Sequence, residues 1–80
     1  MSYVYRLQSI KCPQKHYIGF TSDLRQRLLY HNYGKVPATA SCRPWKIVFY
    51  AAFNSEDKAF RFERYLKSGS GIAFAKKRLW

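Results

Sequence analysis

Acidic residues are scarce in this chain: 4 Asp and Glu stand against 15 Lys and Arg among 80 residues, for a net charge of +11 and a pI near 10.1. A surface so poor in carboxylates favours a polyanionic partner, nucleic acid ahead of an anionic membrane surface. Cysteines number only 2, Cys12 and Cys42. No C-x-x-C pair is present, and Cys12, His16, His31 and Cys42 follow no common structural zinc spacing, so free thiols are expected. No apolar run approaches the roughly 18 residues that a membrane span requires, and Met1-Ser2-Tyr3-Val4 lacks the charged region that opens a signal peptide. The expectation is a cytoplasmic protein that does not enter a membrane. Blocks of five or six like charges, internal repeats and low-complexity tracts are also missing. The positive charge therefore belongs to a folded surface and not to a basic tail.

What is present is apolar and aromatic material: 48% of residues are hydrophobic and 19% aromatic. That composition lies far from that of disordered segments. Eighty residues make one domain, 1–80, close to the size at which a hydrophobic core becomes marginal.

Tyr3 to Ile10 and His16 to Phe20, separated by Pro13 and polar residues, read as two strands of a hairpin. Gly19 ends the second strand. Thr21-Ser22-Asp23 supplies cap residues, Asp23 with Gln26 resembles a capping box, and a helix is expected to run to Tyr33 before Gly34. Asn32 to Pro44, with Gly34, Pro37 and Pro44, reads as a long loop, a type of segment that is often functional in compact domains. Trp45 to Phe53 is almost continuously apolar, which predicts a central strand covered on both faces. Ser55 caps a further helix with Glu56 and Asp57 in its first turn, Gly69 is its stop signal, and Ile72 to Trp80 forms a last helical segment. The order β-β-α-β-α-α predicts an α+β fold, a small three-stranded, mainly antiparallel sheet flanked by about three helices.

Charged residues turn inward on two of these helices. At 100° per residue Leu24 (0°) and Leu28 (about +40°) mark the apolar face of the first, with Arg27 near −60° and His31 near −20°. On the second, Ala59 (0°), Leu66 (about −20°) and Phe62 (about −60°) define the core stripe, which Glu63 shares at about +40°. Buried charge is costly, so an inward arginine and an inward carboxylate require mutual pairing or a ligand. Arg27 could pair with Glu63 while His31 caps a carbonyl. Alternatively, an arginine that holds a phosphate, a carboxylate that holds a divalent cation and a tyrosine or histidine that handles a proton suffice to hydrolyse a phosphodiester.

The strings VYRL and HYIGFTSDLRQRLLYHN, followed by a glutamate on a later helix, resemble the GIY-YIG endonucleases over nearly the whole chain, and most closely the small stand-alone bacterial type. PWKIVFY, AFRFERYLK and GSG have counterparts there as well. The first half-motif departs from the pattern, since Tyr3-Val4-Tyr5 replaces its glycine and isoleucine but keeps the tyrosine.

The resemblance implies a Mg²⁺- or Mn²⁺-dependent DNA endonuclease that leaves 3′-hydroxyl and 5′-phosphate ends, structure-guided and linked to repair or recombination. It carries Tyr5 and Tyr17 over as the motif tyrosines and Gly19 as the glycine of the YIG. Arg27 becomes the contact to the scissile phosphate, His31 the proton handler and Glu63 the metal ligand. Lys15, Arg25, Lys35, Arg43, Lys67, Lys76 and Lys77 are the candidate nucleic-acid contacts. The DNA could be branched or single-stranded, and a protein partner could supply targeting. The alternative is a nucleic-acid-binding module of the same fold with little or no turnover.

Overall fold

A computed structural model describes all residues, Met1–Trp80. Strands β1 (Ser2–Ser9), β2 (His16–Thr21) and β3 (Trp45–Phe53) and helices α1 (Leu24–Asn32), α2 (Glu56–Leu66) and α3 (Gly69–Arg78) follow the expected order, with one 3-10 turn at Ala40–Cys42 ahead of β3. The strands form a single open antiparallel sheet in the order β2-β1-β3. This is the α+β fold read from the sequence.

The place of β3 in that sheet corrects the expectation. The central strand is β1, and β3 is an edge whose residues alternate between covered and exposed, so that Lys46, Val48, Tyr50 and Ala52 face solvent. An apolar run does not tell a central strand from an edge strand whose two halves, split by a bulge, pack on opposite sides of the sheet: Trp45 and Ile47 under α1, Phe53 under α2 and α3. The central strand was the less conspicuous one because Arg6 and Gln8 interrupt it. Pairing between β1 and β3 also slips once: Arg6 faces Phe49 and Leu7 faces Ile47, which leaves Val48 as the extra residue of a bulge.

Side chains of a strand alternate between faces, and β1 uses both. Val4 packs with Ile18, Phe20 and Phe53 against Ala59, Phe62 and Leu66 of α2 and Ala75 of α3. On the other face Tyr5 and Leu7 pack with Tyr17, Ile47 and Trp45 against Leu24 and Leu28 of α1. The sheet is therefore the middle of three layers.

Helix ends follow local chemistry. The Asp23 side chain accepts from the Gln26 amide, Ser55 from Lys58 and Ser68 from Gly71. Gly34, directly after the C-cap of α1, takes the left-handed conformation with φ 76°. Gly69, expected as a stop, is instead the first residue of α3, because Ser68 caps a new helix there. The loop after α1 is fastened at several points. Asn32 clamps the Trp45 backbone, donating to its carbonyl at 3.1 Å and accepting from its amide at 2.7 Å, and the Trp45 indole donates to the Thr39 carbonyl at 2.8 Å.

Gly71 is the point of closest approach between α3 and the end of α2: a Cβ there would overlap the Tyr65 carbonyl. Gly71→Ala is therefore expected to cost roughly 1–3 kcal/mol, read as a lower urea midpoint. Gly69→Ala, where a Cβ meets open space, should leave the midpoint unchanged or raise it slightly.

Candidate active site

Antiparallel register places Tyr5 opposite Gly19 and Leu7 opposite Tyr17, so both motif tyrosines lie on the sheet face that α1 covers. Gly19 makes room for the first. A Cβ at that position would stand 2.5 Å from the Tyr5 hydroxyl oxygen and 3.1 Å from the Tyr17 ring. The glycine of the YIG string thus lets a buried phenol reach past β2 towards α1.

The Tyr5 hydroxyl meets His31 Nε2 at 2.9 Å, and Arg27 Nε donates to the same oxygen at 3.3 Å. His31 Nδ1 lies 2.8 Å from Thr39 Oγ1, which donates to the Val36 carbonyl at 3.3 Å. A carbonyl only accepts, so the single proton of the Thr39 hydroxyl goes to Val36, and Thr39 accepts from His31 Nδ1–H. Nε2 then carries a lone pair, and Tyr5 donates to it. Every group in the chain is satisfied with one direction of proton donation: Tyr5 to His31, His31 to Thr39, Thr39 to Val36. The Tyr17 ring stands 5.0 Å from the imidazole.

Electrostatics act in the same sense. His31 is fully buried, and burial, reinforced by the Arg27 charge, pushes it down from 6.5 to about 4. It is neutral at physiological pH and able to accept a proton. Burial raises the Tyr5 phenol above its ordinary value, while the Arg27 hydrogen bond and charge oppose that rise. Tyr5 therefore rests protonated. Hydrogen bonding to Tyr5 raises Arg27 further above its already high value and keeps it charged.

Glu63, on α2, is 8% exposed. Its carboxylate is paired with Lys67 one turn on, not with Arg27, and the Lys67 ammonium stands 5.7 Å over the Tyr17 ring. The Arg27–Glu63 ion pair considered from sequence is not formed, and the Arg27 guanidinium has no carboxylate partner. Glu63 joins no group of three or more ligating side chains. One carboxylate beside a place for a phosphate suits a hard, largely hydrated ion such as Mg²⁺, which takes one or two carboxylates and completes its shell with water and substrate oxygens.

Tyr5, Tyr17, Gly19, Arg27 and His31 thus form one cluster, with Glu63 and Lys67 at its α2 side. Lys15 in the hairpin turn, Arg25 on α1, Lys35 after it, and Lys76 and Lys77 in the last turn of α3 are exposed and separate from the cluster. Arg43 donates to the Ala40 carbonyl at 2.7 Å and braces the loop. Sequence reasoning missed Thr39, which fixes the imidazole, because a threonine in a loop carries no pattern. It also missed Arg6, although a charge alternating with Val4 on an inward strand face was a readable sign.

The two states of His31 generate a test. The folded protein keeps it neutral down to about pH 4, whereas the unfolded chain takes up a proton near 6.5. The unfolded state therefore binds more protons across that window, and stability falls as pH drops from about 6.5 to 4, by up to about 3 kcal/mol. His16, also lowered by burial and the Arg6 charge, adds to that limb in the same sense, and 4 acidic side chains share its lower end. Melting temperatures between pH 7.5 and 4.5 are expected to fall for the native chain and to fall distinctly less for His31→Asn.

The chain is similar to a UPF0213 protein of Streptococcus pneumoniae, 40% identical over 53 residues that make up 65% of this chain and 54% of that protein. It is also similar to UPF0213 protein SAG0778 of Streptococcus agalactiae, 40% identical over 64% of this chain and 59% of that one. UPF0213 protein YazA of Bacillus subtilis is 35% identical over 72% of this chain and 61% of its own length. The aligned segments thus span between 54% and 61% of these relatives. The family profile described as the GIY-YIG catalytic domain matches residues 1–73, and the chain belongs to the GIY-YIG family, a nuclease-type domain whose members usually use divalent cations.

Proposed function

We propose that the chain is a metal-dependent DNA endonuclease that hydrolyses phosphodiester bonds, structure-guided and serving DNA repair or recombination. The observation that carries this reading is the convergence of a buried phenol, a neutral imidazole and an unpaired guanidinium on one oxygen, that of Tyr5.

In this reading Arg27 binds the scissile phosphate and offsets charge as it builds on the phosphoryl oxygens. The attacking water gives its proton to the Tyr5 oxygen while the Tyr5 proton moves to His31 Nε2. Arg27 stabilises the negative charge that develops on the phenol during that exchange. The water oxygen bonds to phosphorus as the bond from phosphorus to the 3′ oxygen breaks, and the departing oxygen takes a proton from solvent, which leaves 3′-hydroxyl and 5′-phosphate ends. Glu63 would hold Mg²⁺ or Mn²⁺, which supplies Lewis-acid polarisation of the phosphate. Thr39 keeps the imidazole in the accepting tautomer.

One observation favours the second reading, a binding module with little turnover: Lys67 already neutralises the carboxylate on which metal binding depends. Cleavage of branched, flapped and single-stranded DNA with Mg²⁺ or Mn²⁺ separates the two. Tyr5→Phe and Glu63→Gln are expected to lower the rate by about 10²–10⁴ while DNA affinity is kept. Arg27→Ala should lose a similar factor with little change in melting temperature, since no buried carboxylate is left unpaired. A folded native protein that cuts none of these substrates would establish the binding module instead.

A further inference from the structure

Beside the Tyr5 cluster, sharing Tyr17 and Lys67 with it, lies a cavity of about 430 Å³ lined by Arg6, His16, Tyr17, Ile18, Leu66, Lys67, Ile72 and Trp80. Arg6 and Ile18 face each other across β1 and β2 on the sheet side that α2 and α3 cover. Because β2 is an edge strand, the cavity runs round that edge to Tyr17 and Lys67 of the catalytic cluster. Its interior is mostly apolar, from Ile18, Leu66, Ile72 and Trp80. Its charge is of one sign.

Arg6 is the unusual member. Its guanidinium lies 4.2 Å over the Trp80 ring, which itself meets Phe49 edge-on at 5.4 Å, and no carboxylate pairs with it. Partial burial lowers Arg6, and burial together with the Arg6 charge lowers His16. A half-buried cation held over an indole, with no carboxylate beside it, is a site for an anion attached to a flat aromatic group. Apolar walls, an indole and a cation, Arg6, that no carboxylate neutralises match a nucleobase joined to its phosphate, with Lys67, which shares Glu63, at the far rim.

We propose that this cavity binds an unpaired nucleotide of the substrate, with the base inside and its phosphates towards Lys67 and Arg27. This deepens the nuclease reading and rests on it. A base within a duplex has both faces covered by its neighbours and cannot enter without leaving the stack, so the cavity selects strands that are single, flapped or locally open. Placed one strand edge from Tyr5 and Arg27, a captured base would fix the backbone beside the reacting phosphate.

The test measures binding alone, in metal-free buffer with Glu63→Gln protein, so it does not depend on cleavage. Two labelled strands with equal numbers of phosphates are compared, one of thymidine nucleotides and one of base-free deoxyribose phosphates. The thymidine strand is expected to bind about tenfold or more tightly. Ile72→Asn, at a position 56% exposed, and Trp80→Leu, which keeps an apolar contact for Phe49, should each shrink that difference to about threefold or less while melting temperatures stay close to the parent's. Equal affinity for the two strands, or a difference that both folded variants leave intact, would overturn the proposal. Loss of the nuclease reading would appear separately, as intact DNA in the cleavage assay despite preferential binding of bases.

Discussion

Burial of one polar atom, the Tyr5 hydroxyl oxygen, constrains much of this molecule. The strand that carries it must be central for the ring to be covered, its neighbour must place a glycine opposite, and the covering helix must present a nitrogen within reach. An unpaired hydroxyl in such a place would cost more than a hydrogen bond returns, so the requirement is strict. His31 meets it and then needs a partner of its own. Thr39 is that partner, and through its carbonyl it also holds the Trp45 indole at the start of β3. Sheet, helix and loop are thereby joined by a single line of polar contacts.

The division of labour between the two faces follows. One face, under α1, carries directed protons and a fixed cation. The other, under α2 and α3, is packed apolar core, and it reaches the site only at the β2 edge, where Glu63 and Lys67 stand beside Tyr17. A small domain with two cores of limited size places its reactive groups where the two meet, because only there do buried geometry and open access coincide.

Much of this was legible in the residues. Helical periodicity turned His31 and Glu63 inward, and both are buried. The cap residues Asp23 and Ser55 marked helix starts correctly. What was lost was lost for physical reasons. Apolar content made β3 look central, although it is an edge strand with Val48 and Tyr50 exposed, and the polar Arg6 disguised the strand that is central. Arg27 and Glu63 shared an inward direction on their helices, yet direction does not fix distance, and each found a different partner. Thr39 could not be read at all, since its role depends on where a loop closes.

That closure has a consequence for how the chain tolerates change. The segment from Gly34 to Pro44 is irregular, and surface loops ordinarily accept insertions. Here the spacing between Val36 and Thr39 decides which atom the threonine hydroxyl donates to, and so which nitrogen of His31 carries hydrogen. One extra residue there would preserve the fold's outline while reversing the imidazole. Loop length in this stretch is therefore inherited as chemistry: lineages that drift in it are expected to keep a stable domain and to lose the direction of the proton.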